Sequence, residues 1–206
     1  MNNLDNFFYN GKEYFVNKYL EYSKNLIDNV NKDEIRIFIE QLIEARQSNS
    51  NIFFMGNGGS ASTASHFAND IAIGTKSLSK PFKCISLNDN QAILTAIAND
   101  YGYEHIFTKQ LSVLAKENDY IVVITASGNS VNIINALKYA KNKKCKSISI
   151  TGFDGGICKD LADYNIHIKT EKGEYGPVED LHMLLAGLIG SYLIRHIREE
   201  NKNNKI

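Results

Sequence analysis

Asn51-Ile-Phe-Phe-Met-Gly-Asn-Gly-Gly-Ser60 reads as a strand that runs into a turn of three glycines and then into a helix. The unbroken apolar run from Ile52 to Met55 fits a strand covered on both faces, as in a parallel sheet. Glycines let a backbone pass close to a ligand, and a helix amino terminus offers unpaired N–H groups to an anion. No Gly-Lys-Ser/Thr follows, so this is not a nucleotide P-loop. Ala61 stands where the dinucleotide fingerprint needs its third glycine. Three glycines and a capping serine together point to a ligand loop rather than a plain tight turn.

On either side of this loop the pattern is an alternation. Strand-like runs at 51–55, 82–87, 120–125, 147–151 and 164–168 alternate with helical spacing at 60–73, 92–98, 103–114, 129–142 and 156–162, and a closing helix covers 178–198. Strands alternating with helices predict a doubly wound, five-stranded parallel sheet of the α/β class. Ahead of it, residues 12–46 carry Tyr, Phe, Leu and Ile at helical spacing, with Asn31 and Asp33 as turn or cap residues, so a helical hairpin is expected. Pro81 and Pro177 are placed in loops, and residues 201–206 are expected to fray. With no linker or repeat, residues 1–206 read as one domain, the hairpin over 1–48 and the core with its closing helix over 49–200.

A second strand-turn-helix junction has ligand chemistry. In Ile121-Val-Val-Ile-Thr-Ala-Ser-Gly-Asn-Ser130, Gly128 permits the bend while Thr125, Ser127 and Ser130 line one concavity. Hydroxyls at a helix start form a neutral cradle for a phosphate monoester. Capping by Asn129 or Ser130 alone is the plainer reading of this turn, and the presence of two such loops in one sheet favours a ligand.

Bulk composition excludes several classes. Lys plus Arg equals Asp plus Glu at 23 each, and the one dense basic run, Lys141 to Lys146, lies at a helix end, so no nucleic-acid partner is expected. Three widely spaced cysteines without a CxxC pair give neither a disulfide framework nor a structural zinc site. The longest apolar stretch, 181–197, is broken by His182, Gly187, Gly190 and Arg195, so it reads as a buried helix and no membrane partner is expected. With no signal-peptide pattern at its start, the chain is expected to be cytoplasmic.

The Gly56-Asn-Gly-Gly-Ser60 loop, the Ala96-Ile-Ala-Asn-Asp-Tyr-Gly102 segment and the Ser127-Gly-Asn-Ser130 turn together resemble the sugar isomerase (SIS) domain. More narrowly they resemble bacterial phosphoheptose isomerases, which interconvert sedoheptulose 7-phosphate and D-glycero-D-manno-heptose 7-phosphate. The resemblance implies sugar contacts at Asn57, Gly58, Gly59, Ser60, Asn99, Asp100 and Glu179, and phosphate contacts at Thr125, Ala126, Ser127 and Ser130. It also implies a metal-binding His at His66 and a catalytic carboxylate at Asp70, where the family has Glu. On the closing helix the family's Gln and ligand His become Glu179 and Gly187, so the usual zinc set is incomplete. Expected catalytic residues are therefore Asp70 or Glu179 as base, with His182 or His66 as partner. Expected metal ligands are His66, Asp70 and Glu179, for zinc. Glu179 and His182, three apart, can share a helix face. His105, His167 and His196 have no motif around them and read as structural.

The resemblance further implies a homotetramer packed through the amino-terminal helices, and a product bound for lipopolysaccharide or capsule. Two rival readings stay open at this stage. One is an isomerase of another ketose phosphate. The other is a phosphosugar-binding sensor or adaptor without catalysis.

Overall fold

The computed structural model describes residues 1–76 and 80–203. Five strands, β1 (Asn51–Gly56), β2 (Lys83–Ser86), β3 (Tyr120–Thr125), β4 (Lys146–Thr151) and β5 (Tyr164–His167), form one sheet in the order β2-β1-β3-β4-β5. Every pairing is parallel, with Ile52 beside Tyr120 and Ile148 beside Tyr164 fixing the register. Nine helices surround it among the described residues: α1 (Asn3–Phe8), α2 (Lys12–Asn29), α3 (Lys32–Gln47), α4 (Gly59–Asn69), α5 (Gln91–Tyr101), α6 (Ile106–Leu114), α7 (Val131–Lys143), α8 (Gly156–Leu161) and α9 (Tyr175–Asn203).

Strand side chains alternate between the faces, so the sheet has a core on each side. Ile52, Phe54, Tyr120, Val122 and Ile124 meet Phe38 and Leu42 of α3, Phe67 of α4, and Leu185, Ile189 and Leu193 of α9. Phe53, Met55, Ile121 and Val123 meet Phe107 and Leu111 of α6 and Ile133 and Leu137 of α7. The α/β expectation and all five strands are borne out.

Several boundaries differ from the expectation, each for a local reason. The helix expected over 60–73 ends as α4 at Asn69 and passes into one wide π turn, Asp70–Gly74. The helix expected over 103–114 is split into a 3-10 turn, Tyr103–His105, and α6 at His105, while Gly102, at φ 96°, ends α5 ahead of both. Ser60 does not cap α4: Gly58 holds the cap position and Ser60 lies inside the first turn. Pro177 is not in a loop. It sits in the first turn of α9, where a missing N–H costs no intrahelical bond. The same helix runs on to Asn203, through much of the segment expected to fray, whose last three residues lie outside the described part.

The strand order places the site. The chain leaves β1 through α4 toward one face of the sheet and leaves β3 through α7 toward the other. Adjacent strands whose connections part in opposite directions open a crevice beyond their carboxyl ends. The glycine loop and the serine turn are the two lips of that crevice.

Candidate functional site

Each glycine of the first loop answers a separate demand. A Cβ on Gly56 would lie 2.6 Å from the Ser60 backbone, so the turn closes only around a bare Cα. Gly58 takes φ +56° with open space around it, so its reason is conformational. A Cβ on Gly59 would lie 2.5 Å from Oε2 of Glu179. The third glycine therefore makes room for a carboxylate delivered from α9.

The serine turn is held by its own backbone and by α8. The Gly128 N–H donates to Thr125 Oγ1 at 3.2 Å, and Asn129 Nδ2 donates to the Ser127 carbonyl at 2.9 Å. Asn129 Oδ1 in turn accepts the Ile157 N–H at 3.2 Å. Gly128 has φ +65°, and a Cβ there would fall 1.9 Å from the Gly155 carbonyl oxygen, so no other residue fits. Ser130 occupies the N-cap of α7, yet its hydroxyl makes no capping bond. That observation removes the plain capping account of Ser130 and leaves its oxygen for the crevice.

Between the lips lies a cavity of about 290 Å³. Asn57, Gly58, Gly59 and Ser60 line it from the first loop, Thr125, Ala126, Ser127 and Ser130 from the second, and Tyr175 and Glu179 from α9. Nine expected contact residues, Glu179 among them, thus line one cavity, and Glu179 is its carboxylate among the described residues. Hydroxyl donors on one side and a carboxylate on the other suit a phosphate monoester whose far end carries an exchangeable proton.

The remaining expected site residues lie elsewhere. Asn99 and Asp100 are exposed in the last turn of α5 and bond to each other at 2.8 Å, outside the cavity lining. His66 and Asp70 do share a helix face, with Nε2 and Oδ2 3.2 Å apart, but near the far end of α4. The expectation that Glu179 and His182 share a working face is not met. The i, i+3 step turns His182 inward to 1% exposure, while Glu179 reaches the cavity. Burial pushes the His182 pKa down to about 4, which the nearby Thr151 backbone offsets only in part. Neither ring nitrogen closes a hydrogen bond with a described residue. Gly187 faces open space, for a Cβ there would meet nothing within 4 Å.

The described residues do not by themselves make up a zinc site. Among the described residues no three His, Cys, Asp or Glu side chains gather where one ion could sit. His66 and Asp70 offer two donors, while Glu179 stands over Gly59.

Three residues of the site region escaped the sequence reading. Tyr175 lines the cavity because α9 begins three residues earlier than its apolar spacing suggests; the proline at Pro177, favoured in a first turn, was the available signal. Asn132 and Tyr103 bond to Asn57 and have no local pattern to reveal them. Among the described residues no helix is long and apolar enough to cross a membrane.

Comparison with known proteins gives concordant results. A model of the SIS domain matches residues 18–152. The phosphoheptose isomerase of Helicobacter pylori (strain ATCC 700392 / 26695) is 35% identical over 170 residues, 82% of this chain and 88% of that protein. That of Aliarcobacter butzleri is 38% identical over 147 residues, 71% and 77% of the two chains. The solved phosphoheptose isomerase from Francisella tularensis superposes with a TM-score of 0.76 at 26% identity, covering 95% of this chain and all of that one.

Proposed function

The chain belongs to the phosphoheptose isomerase family of SIS-domain proteins, and from that premise we propose that it is an aldose–ketose isomerase converting sedoheptulose 7-phosphate to D-glycero-D-manno-heptose 7-phosphate. One observation carries the proposal: the Glu179 carboxylate and the Thr125–Ser127–Ser130 hydroxyl cradle face a single cavity. The cradle holds the phosphate, placing the sugar carbons along the first loop. Glu179 takes a proton from C1 of the ketose, an enediol forms, and the proton returns at C2 while the neighbouring oxygens exchange theirs. Asp70, paired with His66 outside the cavity, and His182, sealed in the core, take no part in this step.

Around this reading we place a homotetramer in the cytoplasm, its product destined for lipopolysaccharide or capsule heptose. Among the described residues the cavity lining holds one carboxylate and no imidazole. That sparseness is what favours the second reading, a phosphosugar sensor without turnover.

The deciding experiment follows purified protein with sedoheptulose 7-phosphate by NMR, with and without chelator. Glu179→Gln should lower turnover about 10²–10⁴-fold while binding survives. Replacing Ser127 and Ser130 together with Ala should weaken binding by about 1.5–3 kcal/mol per lost bond. Parental turnover in Glu179→Gln removes Glu179 as base. A parent that binds the sugar phosphate but never converts it is the sensor.

A further inference from the structure

Asn57 sits where two cavities meet. The first is the cradle cavity; the second, of about 480 Å³, is lined by Tyr103, Glu104, Val131 and Asn132 and shares Asn57 and Ser130 with it. The Asn57 side chain is held from both sides. Its Nδ2 donates to Asn132 Oδ1 at 2.9 Å, and its Oδ1 accepts from Asn132 Nδ2 at 2.8 Å and from the Tyr103 hydroxyl at 2.9 Å.

The direction of these bonds is set by a backbone group that cannot reverse. The Ile133 N–H donates to Asn132 Oδ1 at 3.0 Å. Were the Asn132 amide turned over, its NH₂ would face that N–H, donor against donor. Asn132 is 2% exposed, so water does not relieve the clash. With Asn132 fixed, the reciprocal pairing fixes Asn57. A carboxamide has two acceptor positions and two N–H donors. Both acceptor positions on Asn57 are filled and one N–H is spent, which leaves one N–H.

We propose that Asn132 and Tyr103 are positioning residues that lock Asn57 as a single hydrogen-bond donor toward a hydroxyl or carbonyl oxygen of the sugar, separate from the phosphate grip. This rests on the phosphosugar reading above but not on turnover. Tyr103 stands on the turn that follows the Ala96–Gly102 segment, and Asn135 Nδ2 of α7 ties that turn down through the Glu104 carbonyl at 3.2 Å. The segment thereby reaches the site through Tyr103, although its own Asn99 and Asp100 do not line the cavity.

Calorimetric titration with sedoheptulose 7-phosphate and, separately, with inorganic phosphate tests the assignment. Tyr103→Phe and Asn132→Ala should each weaken the sugar phosphate about 3- to 10-fold and leave inorganic phosphate within about 2-fold. In an Asn57→Ala background, Asn132→Ala should add no further loss, because its effect runs through Asn57. Additive losses, or equal losses for both ligands, overturn the proposal. If Asn132→Ala does not fold, the exposed Tyr103 hydroxyl still gives the answer. A parent that binds neither ligand sinks the phosphosugar reading and this assignment with it.

Discussion

At Gly59 a missing methyl group and the carboxylate proposed as base occupy the same space. Gly59 has no left-handed backbone, so alanine is conformationally acceptable there and suits a helix better. Its Cβ, however, would meet Glu179 Oε2 at 2.5 Å and push the carboxylate aside. Gly59→Ala should therefore leave the melting temperature unchanged or slightly higher while turnover falls about 10²-fold, the order expected for a displacement near 1 Å. Undiminished turnover in a stable Gly59→Ala protein would show that Glu179 is free to move or is not the base. His182 gives a second test at this scale. Its imidazole is buried at a pKa near 4, whereas the unfolded side chain takes up its proton near 6.5. The unfolded state thus binds the proton first, and stability declines as pH drops from about 6.5 to 4, by about 3 kcal/mol in all. His167, half-buried and shifted the same way by burial, adds to this trend. Denaturant midpoints of His182→Leu should fall less steeply over that interval than those of the parent; an identical slope removes His182 as the source. The two loops that line the cavity were legible at this scale because glycines and hydroxyls cluster at strand ends. The inward turn of His182 was not, because i, i+3 spacing leaves open which of two residues faces the sheet.

Among the elements, the start of α9 needs the most external support, since it carries both Tyr175 and Glu179. Glu174, fully buried just ahead of it, accepts from the Asn3 N–H at 2.8 Å, the Tyr22 hydroxyl at 2.6 Å and the Glu171 N–H at 3.1 Å. Burial and the Glu174 carboxylate hold the Tyr22 hydroxyl protonated well above the ordinary tyrosine range, so it remains a donor. One turn further, Tyr19 donates to Asp180 at 2.6 Å, and Gly176 leaves space for the Tyr19 ring. Two tyrosines of α2 thus hold the start of α9, one just ahead of the helix and one in its second turn. Tyr22→Phe should cost about 1.5–3 kcal/mol, the value of a bond to a charged group. It should also speed hydrogen exchange at Asn3 and Glu171. Unchanged exchange at those amides would mean that Glu174 is not held through Tyr22. Strands β1 and β3 were readable because central parallel strands are apolar almost throughout, whereas β4, Lys-Ser-Ile-Ser-Ile-Thr, was readable from its β-branched residues and its place in the alternation. This clasp was not, because its partners lie 152 and 171 residues apart and no local pattern joins them.

For the whole molecule, the notable surface is apolar. Val16 and Leu20 of α2, Leu184, Leu188 and Tyr192 of α9, and Ile93 and Tyr101 of α5 are all exposed. Helix α5 buries none of its residues despite its apolar composition. A groove of about 260 Å³ runs between Val30, Ile35, Leu184 and Leu188 with little polar lining. These exposed apolar side chains are the surface on which the proposed assembly rests. Light scattering at micromolar concentration should report about four times the 23.1 kDa of one chain, and Leu184→Asp with Leu188→Asp should lower that mass. A parent that scatters as a monomer removes the assembly. The position of α9 after every strand bears also on how the protein is made. Leu181, Leu185, Ile189, Leu193 and Ile197 complete the core on the face bearing α3 and α4, and they are translated after every strand. At about 5–20 residues per second, the 29 residues of α9 take roughly 1.5–6 s to synthesise. Until α9 docks, the part of that face which α3 and α4 leave uncovered stays bare, so the newly made chain is most prone to stick to others in the interval between the making of β5 and the docking of α9.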